Sequence, residues 1–184
     1  DCDGDNIIEK SYSACNVEGT GSYIGGFVGR SYEGTLDGCT MKGTVKMGAG
    51  TNAAAAIYIG GIAGRQDGSS ASKMKMLDCT MDGKIILSDG SEVGGPVISG
   101  QYIYIGGMTG EMVNGTISGC STTENAVIAC DGQYKNNIGG IIGHATKGTV
   151  SECDNRAAIS FASDGARAET TPTYIGGIIG QNGK

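Results

Sequence analysis

One motif recurs five times along this chain: Tyr23-Ile24-Gly25-Gly26-Phe27-Val28-Gly29, Tyr58-Ile59-Gly60-Gly61-Ile62-Ala63-Gly64, Tyr104-Ile105-Gly106-Gly107-Met108-Thr109-Gly110, Asn137-Ile138-Gly139-Gly140-Ile141-Ile142-Gly143 and Tyr174-Ile175-Gly176-Gly177-Ile178-Ile179-Gly180. Successive copies begin 35, 46, 33 and 37 residues apart. Repetition at this period constrains the fold more than any other feature. A unit this short cannot bury a hydrophobic face alone, so it has to stack on its neighbours.

A second motif follows the first: Gly34-Thr35-Leu36-Asp37-Gly38-Cys39, Gly115-Thr116-Ile117-Ser118-Gly119-Cys120 and Gly148-Thr149-Val150-Ser151-Glu152-Cys153, with Met74-Lys75-Met76-Leu77-Asp78-Cys79 as a degenerate copy and Ser11-Tyr12-Ser13-Ala14-Cys15 as an earlier one. From motif Ile to motif Cys the spacing is 15, 20, 15 and 15 residues, and the second copy carries an insertion near Asp67-Gly68-Ser69-Ser70. A third segment reads Thr44-Val45-Lys46-Met47, Lys84-Ile85-Ile86-Leu87, Ala126-Val127-Ile128-Ala129 and Ala158-Ile159-Ser160-Phe161, short runs of β type. Turn signals such as Asp89-Gly90 and Asp164-Gly165 then lead into variable loops.

Three short strands per unit, with small residues at the bends, predict an all-β chain. The expected fold is a right-handed parallel β-helix of about five turns, spanning 1–184 as one solenoid domain. Residues 1–10 are expected to be a cap or a frayed terminus. At about 4.8 Å per turn, five turns make a rod of roughly 24 Å. The alternative is a β-propeller-like repeat, but a blade takes four antiparallel strands and usually about 40–45 residues.

Composition agrees. Glycine supplies 35 of 184 residues, about 19% against a usual share of about 7%, which disfavours long helices. The net charge of −6 argues against a phosphate-backbone binder, so no nucleic-acid partner is expected. No stretch reaches the roughly 18 apolar residues of a membrane-spanning helix, so no membrane insertion is expected.

In-register stacking turns equivalent positions into ladders. Ile24, Ile59, Ile105, Ile138 and Ile175 should form one, and Leu36, Met76, Ile117 and Val150 another, ended by Tyr12. Cys15, Cys39, Cys79, Cys120 and Cys153 share one repeat position. Stacked parallel strands hold their Cβ atoms about 4.8 Å apart with parallel vectors, wider than the roughly 3.5–4.5 Å of a disulfide. These five read as reduced, buried, small apolar residues, so thiol reagents should reach at most Cys2 and Cys130, which stand outside the ladder. Their wide sequence spacing does not suit a zinc site.

The Tyr-Ile-Gly-Gly-φ-φ-Gly and Gly-Thr-φ-x-x-Cys pattern resembles the GLUG-motif repeats of bacterial secreted and surface proteins, including IgA-peptidase-like proteins and surface proteins of gut bacteria. The resemblance runs from about Ser11 to Gly180, with Asn137 standing for Tyr and Met74-Lys75 for Gly-Thr. It implies a repetitive extracellular or cell-surface solenoid, structural or adhesive, with no catalytic residues to carry over. The partners it implies are neighbouring repeats or domains and a host glycan or protein.

Candidate chemistry is sparse. His144, the one histidine, has Arg30, Arg65, Glu111 and Gln181 as counterparts and reads as a solvated outer corner. The carboxylates Asp37, Asp78, Glu111, Glu152 and Asp154 are scattered, unlike the clusters of glycan-cleaving β-helices, so no enzyme activity is expected. Asp1, Asp3, Asp5 and Glu9 resemble a calcium loop but miss its Gly and Glu positions; no cofactor or metal is expected. Thr35, Thr116 and Thr149 align, but Lys75 interrupts the row. Tyr23, Tyr58, Tyr104 and Tyr174 should stack into an aromatic stripe. The stripe is the candidate binding surface for glycan rings, together with loops 88–103 and 162–173. Finally, open ends of such a coil would pair with neighbouring repeats or with copies of the chain.

Overall fold

The computed structural model describes residues 2–3, 6–48, 50–52, 56–87, 96–98, 102–131, 135–162 and 172–183. Every described element is a strand, and every pairing is parallel. The chain coils as a right-handed parallel β-helix of about five turns.

Each turn has five strands rather than three. The turn from Ala56 shows them as Ala56–Gly60, Ala63–Asp67, Met74–Leu77, Thr80–Met81 and Lys84–Leu87. Their equivalents stack into a first, second, third, fourth and fifth sheet. The second sheet has six strands and the other four have five each. A further pair, Gly50–Asn52 with Pro96–Ile98, forms a small separate sheet. Loop residues 88–95, 99–101 and 163–171, expected to help bind a ligand, lie outside the described residues.

The glycine pair explains the extra division. It bends the first motif sharply, so that its two halves enter different sheets. Gly61 N–H still donates to the Gly107 carbonyl of the next turn at 3.1 Å, which carries the ladder through the bend. A Cβ on Gly60 would fall on the Ala63 carbonyl oxygen, and one on Gly61 on the Gly107 carbonyl oxygen. No side chain fits in either place.

A second corner, between the third and fourth sheets, has positive φ in all five turns: Lys10 (45°), Gly38 (60°), Asp78 (50°), Gly119 (67°) and Glu152 (56°). Glycine meets this demand freely, whereas a side chain there costs about 1–2 kcal/mol.

Inside lies one continuous core. The turn from Ala56 contributes Ile57, Ile59, Ile62, Met74, Met76, Cys79, Met81, Ile85 and Leu87, all essentially inaccessible. Each such side chain contributes about 1.5–3 kcal/mol by leaving water. Ile24, Ile59, Ile105 and Ile138 are buried, while Ile175, in the last described turn, stands exposed.

Register corrects two expected ladders. Ile8, not Tyr12, continues the Leu36–Met76–Ile117–Val150 row. Tyr12 pairs with Thr40, so Ser11 holds the first-turn position of the cysteine row. Cys15 therefore leaves the ladder: it lies four residues further on and is exposed. Cys39, Cys79 and Cys120 are buried and Cys153 partly so. Cys130 is buried on the fifth sheet between Leu87 and Phe161. Among the described cysteines no disulfide forms.

Residues 7–9 form a strand of the third sheet on Gly34–Asp37, and Cys2–Asp3 pairs with the second sheet at Ser31–Tyr32. Cys2–Asp3 and Ile7–Glu9 are thus strands of the coil.

Candidate functional site

The richest side-chain chemistry lies where the first and second sheets meet. In the first sheet Tyr23, Tyr58 and Tyr104 are register neighbours and face outward, because the intervening isoleucines take the inner side. Tyr23 stacks on Tyr58 at 5.2 Å between ring centroids, and Tyr58 on Tyr104 at 5.2 Å. The next register position is Asn137, with Tyr174 beyond it. The column of rings nevertheless continues, because His144 of the second sheet stacks on Tyr104 at 5.1 Å. The stripe therefore reads Tyr23, Tyr58, Tyr104, His144. Tyr174 is separated from it by the Asn137 turn and is exposed.

The second sheet sets Arg30, Arg65, Glu111, His144 and Gln181 in one row. The expectation of a solvated corner fails here. Arg30 Nε is 2.7 Å from Asp67, and Arg65 Nε is 3.1 Å from Asp67 and 2.7 Å from Glu111. The Arg65–Glu111 contact is a close ion pair without hydrogen-bond alignment. His144 Nδ1 lies 3.0 Å from Glu111 Oε1, and its Nε2 lies 3.0 Å from the Gly183 carbonyl. The guanidinium of Arg30 sits 5.5 Å from the Tyr23 centroid, and that of Arg65 5.0 Å from Tyr58. Asp67 and Glu111 are buried. At the end of the row, Asn137 Nδ2 donates to Gln181 Oε1 at 2.6 Å.

Electrostatics follow from this packing. The Glu111 hydrogen bond raises the His144 pKa, against the opposing effect of burial. Arg65 is pushed up as well: burial opposes its charge, but Glu111 and Asp67 outweigh it. Burial, then the Glu111 charge, pushes the Tyr104 hydroxyl up to about 12. The cysteine row behaves as a core: the Cys153 and Cys79 thiols on either side, and then burial, push the Cys120 thiol up.

A second polar feature is a shallow cleft of about 430 Å³ lined by Asp82, Thr123, Asn125, Asp154 and Arg156, among others. Thr123 donates to Asp82, Asn125 donates to it at 3.2 Å, and Lys42 lies 3.3 Å away. Arg156 pairs with Asp154 at 2.7 Å. Among the described residues, no group of three or more His, Cys, Asp or Glu side chains is placed to hold a metal ion.

Sequence reasoning identified the tyrosines by their repeat position. It missed Asp67 and the role of His144, because each acts on a residue one or more turns away. The available signal was the uninterrupted polarity of the position after the third motif glycine.

Comparison with known proteins gives a family match. The model described as the GLUG motif matches residues 20–46, the first complete Tyr-Ile-Gly-Gly and Gly-Thr-Leu-Asp-Gly-Cys unit. No curated protein and no solved structure matches this chain.

Proposed function

Taking as premise a β-helix that carries the GLUG motif, we propose that this chain is a non-enzymatic extracellular repeat domain, a structural stalk or adhesin segment of a bacterial surface protein. One observation carries the reading: the reactive groups of the candidate site are spent on one another. Ring faces of Tyr58 and Tyr104 are covered by neighbouring rings and by Arg65 or His144. Both buried carboxylates are neutralised by cations of adjacent strands. Catalysis needs an acid, base or nucleophile aimed at open space. Here the pairs run along the rod and tie one turn to the next. Incubation with a panel of polysaccharides and peptides should give no turnover, and any reproducible turnover overturns the reading.

A second reading rests on Tyr102. It is exposed on the same face, its ring stacked nearly parallel to that of Tyr104 at 6.1 Å between centroids. Exposed tyrosine rings of this kind suit the flat faces of sugars. In this reading the domain is a carbohydrate-binding module. A glycan array should then show binding that Tyr102→Ala and Tyr23→Ala remove, and a silent array eliminates it.

A further inference from the structure

The cleft beside Asp82 exists because one turn departs from the repeat. At the corner between the fourth and fifth sheets, two residues suffice in three other turns: Lys42-Gly43 between Met41 and Thr44, Asp82-Gly83 between Met81 and Lys84, and Arg156-Ala157 between Asn155 and Ala158. Between Thr122 and Val127, which hold the same register positions, stand four, Thr123-Glu124-Asn125-Ala126. Thr123 N–H donates to the Met81 carbonyl at 3.0 Å and Val127 N–H to the Gly83 carbonyl at 3.1 Å, so the ladder is intact on both sides. The two extra residues, Glu124 and Asn125, are pushed outward as an exposed turn, closed by the Ala126 N–H on the Thr123 carbonyl at 3.1 Å.

Side chains hold both walls of the cleft in place. On one side Asp82 accepts from Thr123 Oγ1 and from Asn125 Nδ2, which fixes the outward turn. On the other side Thr122 is buried where Met41 and Met81 stand in earlier turns. Its Oγ1 accepts from the backbone N–H groups of Arg156 and Ala157 at 3.1 and 3.2 Å, which fixes the segment that carries Arg156. Arg156 Nε donates to Asp154 Oδ2 at 2.7 Å, and the two Nη groups of the guanidinium are further donors. A cleft held in this way costs little ordering when a ligand enters.

We propose that this cleft binds a neutral saccharide, whose hydroxyl groups donate to Glu124 and Asp154 and accept from Arg156. The site is separate from the tyrosine face of the first sheet and does not rest on a role for that face. Its volume of about 430 Å³ falls within the roughly 300–1,000 Å³ of small-molecule sites. The lining excludes other ligand classes. Asp82, Glu124 and Asp154 together repel an anion, and Arg156 among them opposes a cation. Among the described residues no three ligating groups are placed to hold a metal ion. A hydroxyl both donates and accepts, so two neighbouring sugar hydroxyls can meet a carboxylate and a guanidinium together. The cleft is shallow, so the expected affinity is about millimolar.

Amide NMR of the whole chain tests this, because it reads weak binding and locates it. The probes are cellobiose, maltotriose, mannotriose and diacetylchitobiose, each titrated separately, with calcium chloride as the ionic control. At least one sugar should shift the amides of Thr123, Glu124, Asn125 and Arg156 saturably, and calcium should leave them in place. Arg156→Ala should weaken that binding by about tenfold or more while keeping the wild-type melting temperature, since Thr122 holds the backbone of Arg156 and not its side chain. Deleting Glu124 and Asn125 restores the two-residue corner of the other turns and should abolish the response. Four results overturn the proposal: no sugar moves the cleft amides, the sugar shifts fall only around Tyr102 and Tyr104, calcium alone moves the cleft, or Arg156→Ala binds like wild type. The second of these would leave the tyrosine face as the binding surface, so the two readings fail separately.

Discussion

The imidazole of His144 stacks on the phenol ring of Tyr104 at 5.1 Å and 21°, extending the aromatic column past the turn in which Asn137 stands in register with the tyrosines. The same imidazole faces two acceptors, Glu111 Oε1 and the Gly183 carbonyl. Only the protonated ring donates from both nitrogens. The geometry and the raised pKa therefore have one cause.

Stability should depend on pH through this residue. A folded pKa above the unfolded value of about 6.5 gives a stabilisation that is complete below that value. It is lost as pH rises through the folded pKa. His144→Gln should lower the melting temperature by about 2–4 °C near pH 6, with the gap closing in alkaline buffer. A gap that widens with pH contradicts the assignment.

Glu111 holds Arg65 and His144 together across adjacent strands. Glu111→Ala leaves two partly buried cations with one carboxylate, Asp67, beside Arg65. Chemical denaturation should show a loss of about 3 kcal/mol. His144 in this variant should titrate below its wild-type value, which proton NMR of the imidazole can follow.

Gly107 lies against the Gly140 carbonyl and the Thr122 side chain, while Gly21 has open space around its Cβ direction. Gly107→Ala should destabilise the chain by about 2 kcal/mol or more through forced backbone movement. Gly21→Ala should fall within about 0.5 kcal/mol of wild type. Equal effects in thermal melts would show that the bend is less tightly packed than the structure has it.

Glu152 holds φ at 56° at a corner where Gly38 and Gly119 stand in two other turns. Glu152→Gly should relieve about 1 kcal/mol of strain, offset in part by the greater freedom of glycine in the unfolded chain. The net change should be stabilising or neutral by urea titration. A clear destabilisation would mean that the Glu152 side chain contributes contacts of its own.

Native-state thiol labelling separates the cysteines. Among the described cysteines, Cys15 should react fastest and Cys153 more slowly, while Cys39, Cys79, Cys120 and Cys130 should stay protected until the chain unfolds. Peptide mapping by mass spectrometry reads this directly.

The amino-acid sequence by itself determined the solenoid, its number of turns and, beyond the first turn, the inner isoleucine, aliphatic and cysteine ladders. The physical reason is that units with constant spacing and an apolar residue recurring at each inner position can bury that residue only by stacking. It also determined the glycine bends, since a pair of residues without side chains at every turn marks a place where backbones touch. Only the tertiary structure decided the register of the first turn, where Ile8 and Ser11 replace Tyr12 and Cys15 in their rows. At that end the motif has drifted, and hydrogen bonding to the next strand sets the alignment. Only the tertiary structure, too, decided what the outer positions do. Arg30 meets Asp67 and His144 meets Glu111 across 37 and 33 residues of chain. The residues differ from turn to turn, so no repeat pattern announces the pairs. They become partners because a parallel coil brings successive turns within about 4.8 Å, where opposite charges and rings of adjacent strands come into contact.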